Sequence, residues 1–257
     1  MEFNVADETS SLESVIIGIA KNSGKIPNLK DLYDPKSILN LKNNTYPLES
    51  NLVKELCEFV DLLKKYNVNV YRPKNIYNVN QVFVRDVGFV IDKFFFKSNI
   101  LPQREKEYEG IKKIIKSYDG ELIELPKEIH VEGGDVINFD NYIFIGYYEK
   151  KNYPKLYTAR TNKNAIDFFK KFFPKKIIKP FQLNKSNTNP KMNALHLDCC
   201  LQIVGQYNAI MCSELFTNKN DVVWLKSFFG EKNIFFADKN EMSSMYCNVL
   251  SINRNTV

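Results

Sequence analysis

Extended and helical residue patterns alternate in a recurring order along this chain. Paired apolar strands around a polar turn are predicted at residues 82–98, 130–149 and 195–212. Each pair is followed by an amphipathic helix and then by a further strand, and a fourth pair begins within residues 245–257. Units of this kind cannot bury their own apolar faces, so they must pack against their neighbours. The repeat predicts an α/β fold built from strand–turn–strand–helix–strand units.

A strand, a long helix and another strand precede the repeating units. Residues 14–20, "SVIIGIA", have the β-branched apolar run of a buried strand, and residues 67–73 alternate as a strand. Residues 47–66 between them carry apolar side chains at helical spacing. The 257 residues suffice for one large domain with its own core. We expect a single α/β domain over residues 1–257, with its last unit incomplete.

The composition is that of a globular protein, with 44% apolar and 26% charged residues. The 36 basic and 30 acidic side chains give a net charge of +6, without an aromatic-interleaved basic motif, so no nucleic-acid partner is predicted. The N-terminal residues contain no apolar run, and "VGFVIDKFFF" is too short to span a bilayer. Five cysteines without regular spacing favour free thiols. These observations predict a cytoplasmic protein with no membrane partner.

Acidic or polar side chains recur early in the first strand of each unit, namely Asp86, Glu132, Asp135, His196 and Asp198. If the units ring an axis, equivalent positions converge on one pocket. Carboxylates in one pocket repel one another unless a cation lies among them. That cation is either a metal ion or a guanidinium, whose planar fork of five donors pairs with carboxylates.

Four short motifs resemble, in chain order, the guanidino-group-modifying superfamily. This superfamily includes arginine:glycine amidinotransferases, arginine deiminases and dimethylarginine dimethylaminohydrolases. The motifs are "NQVFVRD" (80–86), "VEGGDV" (131–136), "HLD" (196–198) and "NVLSI" (248–252). Residues 46–73 are most similar to the amidinotransferase branch, whereas "EGGD" is more similar to the other two branches. The resemblance implies a pentein-type α/β propeller of ββαβ repeats around a pseudo-fivefold axis.

The resemblance also implies an enzyme that acts on the guanidino group of arginine or an arginine derivative. In this family a cysteine thiolate attacks the guanidinium carbon and forms a covalent amidino-thioether. We expect amidino transfer to an amine, with hydrolysis of the same C–N bond and non-catalytic guanidine binding as alternatives. No cofactor and no metal ion is implied. A small guanidine such as arginine is the expected partner, and the sequence is compatible with a homodimer.

The same resemblance gives the polar residues their expected roles. His196 would be the general acid and base, and Asp198 would orient or polarise it. Asp86 and Glu132 would hold the guanidinium, with Asp135 in support.

Further residues are expected to line the substrate pocket. Arg160 matches a family arginine that binds the substrate carboxylate, and Arg104 is a second candidate for that role. Phe83 is expected in the pocket wall. Gly133 and Gly134 would let the backbone approach the ligand closely.

The cysteine that performs the attack is not identified by these motifs. Cys199 and Cys200 directly follow "HLD", and at least one is expected in the core, because neighbours on a strand point to opposite faces. In the family the nucleophile follows the "NVLSI" strand, so Cys247, which precedes it, is only an alternative. We therefore expect a C-terminally truncated member that lacks its nucleophile.

Each of these assignments has a structural alternative. Asp86 could form a plain ion pair with Arg85, and "EGGD" could be a tight turn or bulge. His130 is expected to be structural. The histidine, aspartate and two cysteines of residues 196–200 could bind a metal ion, although zinc favours spaced ligands and adjacent cysteines on a strand diverge.

Overall fold

The computed structural model describes residues 3–257. Three sheets share one topology, in which an antiparallel strand pair is followed by a helix and by a third strand parallel to the second. The predicted order of strand, turn, strand, helix and strand is therefore confirmed for three units. None of the helices in the described range has the length and apolar character needed to cross a bilayer.

The helices and strands fall in four groups, an N-terminal strand–helix–strand group and the three units. The N-terminal group contains β1 (Ser14–Ile16), α1 (Pro35–Lys42), α2 (Glu49–Lys65) and β2 (Asn69–Tyr71). The first unit contains α3 (Val84–Val87), β3 (Gly88–Ile91), β4 (Phe94–Lys97), α4 (Glu107–Lys116) and β5 (Glu121–Glu124). The second contains β6 (Val136–Phe139), β7 (Tyr142–Tyr147), α5 (Lys163–Phe172) and β8 (Ile177–Gln182). The third contains β9 (Leu201–Val204), β10 (Asn208–Met211), α6 (Lys219–Phe229), β11 (Ile234–Phe236) and α7 (Lys239–Ser243).

The five site side chains lie just before the first strands of their units, not within them as predicted. They belong to three short helical turns: α3, the 3₁₀ turn Gly133–Asp135 and the 3₁₀ turn Leu197–Cys199. Glu132 and His196 are the N-cap residues of the two 3₁₀ turns. Their carbonyls accept hydrogen bonds from the amides of Asp135 and Cys199 at 3.0 and 3.3 Å. These local bonds replace strand pairing at the start of each unit.

The prediction of a strand pair starting at 245–257 is wrong. Helix α7 forms at residues 239–243, where Asp238 and Glu241 make a reciprocal capping box. The chain then continues mostly in turns, with an isolated bridge between Asn253 and Thr256.

The C-terminal residues contact the N-terminal strand–helix–strand group. The carbonyl of Ile252 accepts a hydrogen bond from the amide of Leu12 at 2.8 Å. The Ile252 side chain packs against the apolar cluster that contains Leu63 of α2 and Ile17. Residues 12 and 252 thus join the two ends of the described chain.

Aromatic side chains fill the spaces between neighbouring sheets. Phe96 of β4 is fully buried, and its ring centroid lies 5.1 Å from that of Phe169 on α5, the helix of the next unit. In the same way Phe144 of β7 lies 5.8 Å from Phe228 on α6. Each of these helices therefore covers the sheet of the unit that precedes it.

We predict that Phe96→Ala lowers the free energy of unfolding by about 3–5 kcal/mol, because it opens a cavity in a fully buried aromatic cluster. Urea unfolding followed by circular dichroism measures this change. Tyr77→Ala is the control, since Tyr77 is 75% exposed and such a surface change alters stability by about 0.5 kcal/mol at most. Similar losses in the two variants would contradict the assigned core.

Candidate active site

The three helical turns bring Asp86, Glu132 and His196 into one buried cluster. The Nε2 atom of His196 lies 2.9 Å from Oε2 of Glu132, and its Nδ1 atom lies 3.7 Å from Oδ1 of Asp86. Both ring nitrogens therefore face a carboxylate. The residues come from three different units of the fold, so their meeting depends on how the units pack.

Asp135 supports this cluster from within the protein. Its carboxylate accepts hydrogen bonds from the amide of Leu197 at 2.9 Å and from the hydroxyl of Thr161 at 2.7 Å. Burial raises the pKa of the Asp135 carboxyl. Through these bonds Asp135 holds the turn that follows His196 in place.

The two glycines of "EGGD" allow close contacts between protein segments. A Cβ atom on Gly134 would lie 2.8 Å from Cγ of His196, and one on Gly133 would lie 2.1 Å from the carbonyl oxygen of Arg85. Both separations are shorter than the van der Waals contact of about 3.5 Å between non-bonded atoms. The sequence predicted close approach to a ligand, whereas the groups approached here belong to the protein itself.

Two buried arginines balance the charge of the carboxylates. Nη1 of Arg104 lies 2.9 Å from Oδ2 of Asp86, and Nη1 of Arg160 lies 3.0 and 3.1 Å from the two oxygens of Glu132. Arg85, the alternative partner considered for Asp86, instead pairs with Glu8 at 3.0 Å. The plain Asp86–Arg85 ion pair is therefore not formed.

The charges of the cluster set the protonation of its members. Burial alone would raise the pKa of the Glu132 carboxyl, but the hydrogen bond with His196 and the positive charge of Arg160 lower it to about 2. Burial opposes a charged His196, yet the carboxylates of Asp86 and Glu132 and the neighbouring Cys199 raise its pKa well above the usual value. At neutral pH the site therefore holds an ionised Glu132 beside an imidazolium.

Asp198 and Cys199 lie close to the His196 ring, with ligand-type atoms of the three residues within 4.8 Å of one another. The Cys199 thiol donates to Oδ1 of Asp198 at 3.6 Å. Burial raises the pKa of Asp198 to about 6. Burial and the Asp198 charge also raise the pKa of the Cys199 thiol, which is therefore protonated at neutral pH.

The remaining cysteines do not reach this cluster of charges. Cys200 lies in the apolar core with Cys212 and Cys247, which confirms that at least one of the adjacent pair is a core residue. Of the four metal ligands considered at residues 196–200, Cys200 therefore lies outside the set, whereas His196, Asp198 and Cys199 bring ligand atoms within 4.8 Å of one another. Burial raises the pKa of Cys247 to about 12, which is the opposite of an activated thiol.

Several contacts of the site had no motif in the sequence. Glu107 binds Arg104 through both carboxylate oxygens, and only the i, i+3 spacing could have suggested this pair. The Tyr33 ring centroid lies 5.3 Å from Cζ of Arg160, a contact for which the sequence gave no signal. Phe83, expected in the pocket wall, is 58% exposed, and its carbonyl oxygen lies 3.5 Å from Nη2 of Arg104.

A histidine between two buried carboxylates, on an α/β scaffold of repeated units, is the arrangement expected for the guanidino-group-modifying superfamily. The family model described as N,N dimethylarginine dimethylhydrolase, eukaryotic, matches residues 36–257. The chain belongs to this family, and the superfamily membership predicted from the four motifs is confirmed.

A relative from Bacillus subtilis (strain 168), the uncharacterized protein YkgA, is 28% identical over 200 residues. The match covers 77% of this chain and 62% of the relative, so the chain spans less than two thirds of that relative's length.

Two solved structures are similar in fold. The N-terminal domain of ArgZ with bound substrate, an arginine dihydrolase from the ornithine–ammonia cycle in cyanobacteria, has a TM-score of 0.74 and 15% identity, covering 93% of this chain and 81% of its own. SxtG, an amidinotransferase from Microseira wollei in the saxitoxin biosynthetic pathway, has a TM-score of 0.72 and 17% identity, covering 98% and 83%. At these identities the likeness establishes a shared fold.

We predict that the His196 imidazole titrates well above the usual pKa of about 6.5, because Asp86 and Glu132 stabilise its charged form. A folded-state pKa above the unfolded value adds stability below pH ~6.5 that is lost as pH rises through the folded pKa. NMR titration of His130→Gln, which leaves a single imidazole, measures the pKa.

Glu132→Gln in the same background should lower the His196 pKa, because one of its two flanking charges is removed. Titration of His196 at or below pH ~6.5 would contradict the assigned electrostatics.

Proposed function

We propose that this chain binds arginine or an arginine derivative by its guanidino group and acts on a C–N bond of that group. One observation carries the proposal: Asp86 and Glu132 already bind guanidinium groups, those of Arg104 and Arg160, at 2.9 to 3.1 Å. Planar guanidinium groups suit such carboxylates because they offer several N–H donors in one plane. The family to which the chain belongs supports the same substrate class.

In this proposal His196 transfers the protons of the reaction. Its raised pKa keeps it protonated at neutral pH, so it can donate a proton to the leaving amine and later accept one from the incoming nucleophile. The ionised Glu132, 2.9 Å away, stabilises that charge. Asp198, whose carboxylate lies near the ring, orients it, and Asp86 contacts the guanidinium.

The carboxylate end of the ligand is assigned to Arg160. A cavity of about 360 Å³ is lined by Tyr33, Tyr157, Gln103 and Asn187, among others. Tyr33 also contacts the Arg160 guanidinium, so one wall of this cavity adjoins the charged cluster. Phe83 is assigned to the wall of the pocket.

We propose amidino transfer to an amine as the reaction, which in the superfamily proceeds through a covalent amidino-cysteine intermediate; the attacking thiol is not assigned to Cys199, Cys200, Cys212 or Cys247. The similarity of residues 46–73 to amidinotransferases and the fold shared with SxtG support it. Hydrolysis is the alternative, supported by the dimethylhydrolase family and by the fold shared with the arginine dihydrolase ArgZ. We also propose a cytoplasmic location.

A non-catalytic guanidine-binding function is favoured by one specific observation. The thiols of Cys199, Cys200, Cys212 and Cys247 all have raised pKa values, chiefly because they are buried. None of these four is activated as a nucleophile. Binding without turnover therefore remains a distinct outcome of the assays below.

We further propose that the units form an α/β propeller around a pseudo-fivefold axis. The contact between Ile252 and the N-terminal group supports this, because it places residues 248–252 beside β1, α2 and β2. In this proposal the two segments together form one further unit of the propeller. The convergence of the turns around His196 is also what such an axis produces.

Product analysis tests the proposed reaction. The protein is incubated with arginine or dimethylarginine, with and without glycine. Ornithine together with guanidinoacetate indicates amidino transfer, and citrulline or ammonia indicates hydrolysis. Binding of arginine without any product supports the non-catalytic alternative. A folded protein that binds neither guanidine would contradict the proposed function.

We predict that Asp86→Asn and Glu132→Gln each weaken arginine binding by roughly 30- to 4,000-fold, the range expected when one partner of a buried charge pair is removed. Isothermal titration calorimetry measures the affinity, and thermal unfolding verifies that the variants are folded. Glu109→Gln is the control, because Glu109 is exposed and pairs with Lys112 on the surface of α4. Wild-type affinity in both site variants would refute the site assignment.

A further inference from the structure

Arg104 lies within the proposed guanidine site. Its Nη1 atom is 2.9 Å from Oδ2 of Asp86 and 3.6 Å from Oε2 of Glu132, and its side chain is only 9% exposed. These two carboxylates are the groups proposed to hold the guanidinium of the ligand. An external guanidine must therefore compete with guanidinium groups of the protein, that of Arg104 at Asp86 and that of Arg160 at Glu132.

Glu107 determines how Arg104 is oriented. Its Oε1 atom accepts a hydrogen bond from Nε at 2.8 Å, and its Oε2 atom accepts one from Nη2 at 2.9 Å. This two-bond pairing occupies one edge of the planar guanidinium and directs the Nη1 atom toward Asp86. Both side chains are buried, so the orientation is held away from water.

We propose that Glu107 is a positioning residue that holds Arg104 in the place of the ligand guanidinium, and that Arg104 thereby sets the affinity and selectivity of the site. This inference rests on the proposed function. When a ligand guanidinium takes over Asp86 and Glu132, the displaced Arg104 keeps its bonds to Glu107. Its charge is then still paired, which matters because an unpaired charge in a buried site is strongly unfavourable.

The same arrangement favours one class of guanidine. A guanidine that also carries a carboxylate supplies a new anionic partner that Arg160 and the displaced Nη1 atom of Arg104 can share, since both arginines lie beside Glu132. A purely cationic guanidine supplies none, and because it lacks the carboxylate it brings more positive charge to a cluster in which Asp86, Glu107 and Glu132 are already paired with Arg104 and Arg160. The site therefore selects guanidines that carry a carboxylate over guanidines that carry none.

Agmatine, the decarboxylated analogue of arginine, is the probe that tests this inference. In Arg104→Met/Glu107→Gln the guanidinium that competes at Asp86 is absent, and both partners of the Arg104–Glu107 pair are replaced together. Asp86 then keeps the protonated His196, 3.7 Å away, as its cationic partner until the ligand binds. Calorimetry should show agmatine binding that is tighter by about tenfold, because the fraction of carboxylate sites open to the ligand rises. The preference for arginine over agmatine should decrease.

Glu107→Gln alone should have the opposite effect. Arg104 then has no second anionic partner when it is displaced, so agmatine binding should weaken by about tenfold, within the usual range of coupling between groups. A merely structural role for Glu107 would weaken binding in the single and the double variant alike. Glu109→Gln is the matched control, since Glu109 is an exposed carboxylate on the same helix, and it should leave binding unchanged.

The outcomes are distinguishable. Unchanged or weaker agmatine binding by the folded double variant, with arginine binding intact in the wild-type protein, overturns this inference alone. If the folded wild-type protein binds neither arginine nor agmatine, both the proposed function and this inference are contradicted. If the double variant does not fold, the comparison of Glu107→Gln with Glu109→Gln decides, and equal agmatine affinity in these two variants overturns the positioning role.

Discussion

Buried carboxylates must be paired with positive charge, and this requirement organises the site and the fold around it. Asp86 and Glu132 lie in separate units, yet each is bound by a buried arginine and faces one nitrogen of His196. Separating any one of these groups would leave a charge without a partner in a place that excludes water. The ion pairs therefore hold the three turns next to one another, in addition to the apolar packing of the sheets.

Much of the fold was accessible from the sequence, because the alternation of extended and helical patterns is repeated. The positions of α2, α4, α5 and α6, and of the three strand pairs, follow from that pattern. The helical turns before β3, β6 and β9 were predicted to be parts of strands. A segment of three or four residues is too short for the spacing of its apolar side chains to distinguish a helix from a strand. Their conformation is fixed by long-range contacts, such as the bond from the Leu197 amide to Asp135. Helix α7 was missed although Asp238 and Glu241 carry its capping signal.

The composition of the site was accessible for a different reason. Asp86, Glu132 and His196 belong to motifs that were recognised by resemblance, so their proximity could be expected before any geometry was known. The partners of Arg104 and Arg160 could not be expected in this way, because they depend on how separate units are placed in space. Glu107 illustrates the limit: it belongs to no motif, and its contact with Arg104 is defined only by the folded chain.

The packing of α5 and α6 onto the sheets of preceding units has a consequence for cooperativity. A helix that completes the core of its neighbour cannot detach without exposing that neighbour's aromatic rings, so the units lack independent stability. The charged cluster collects one turn from each of three such units. Partial unfolding of any single unit would therefore disrupt the cluster together with the core. Ligand binding by the pocket and the folded structure of the domain should be lost in the same transition.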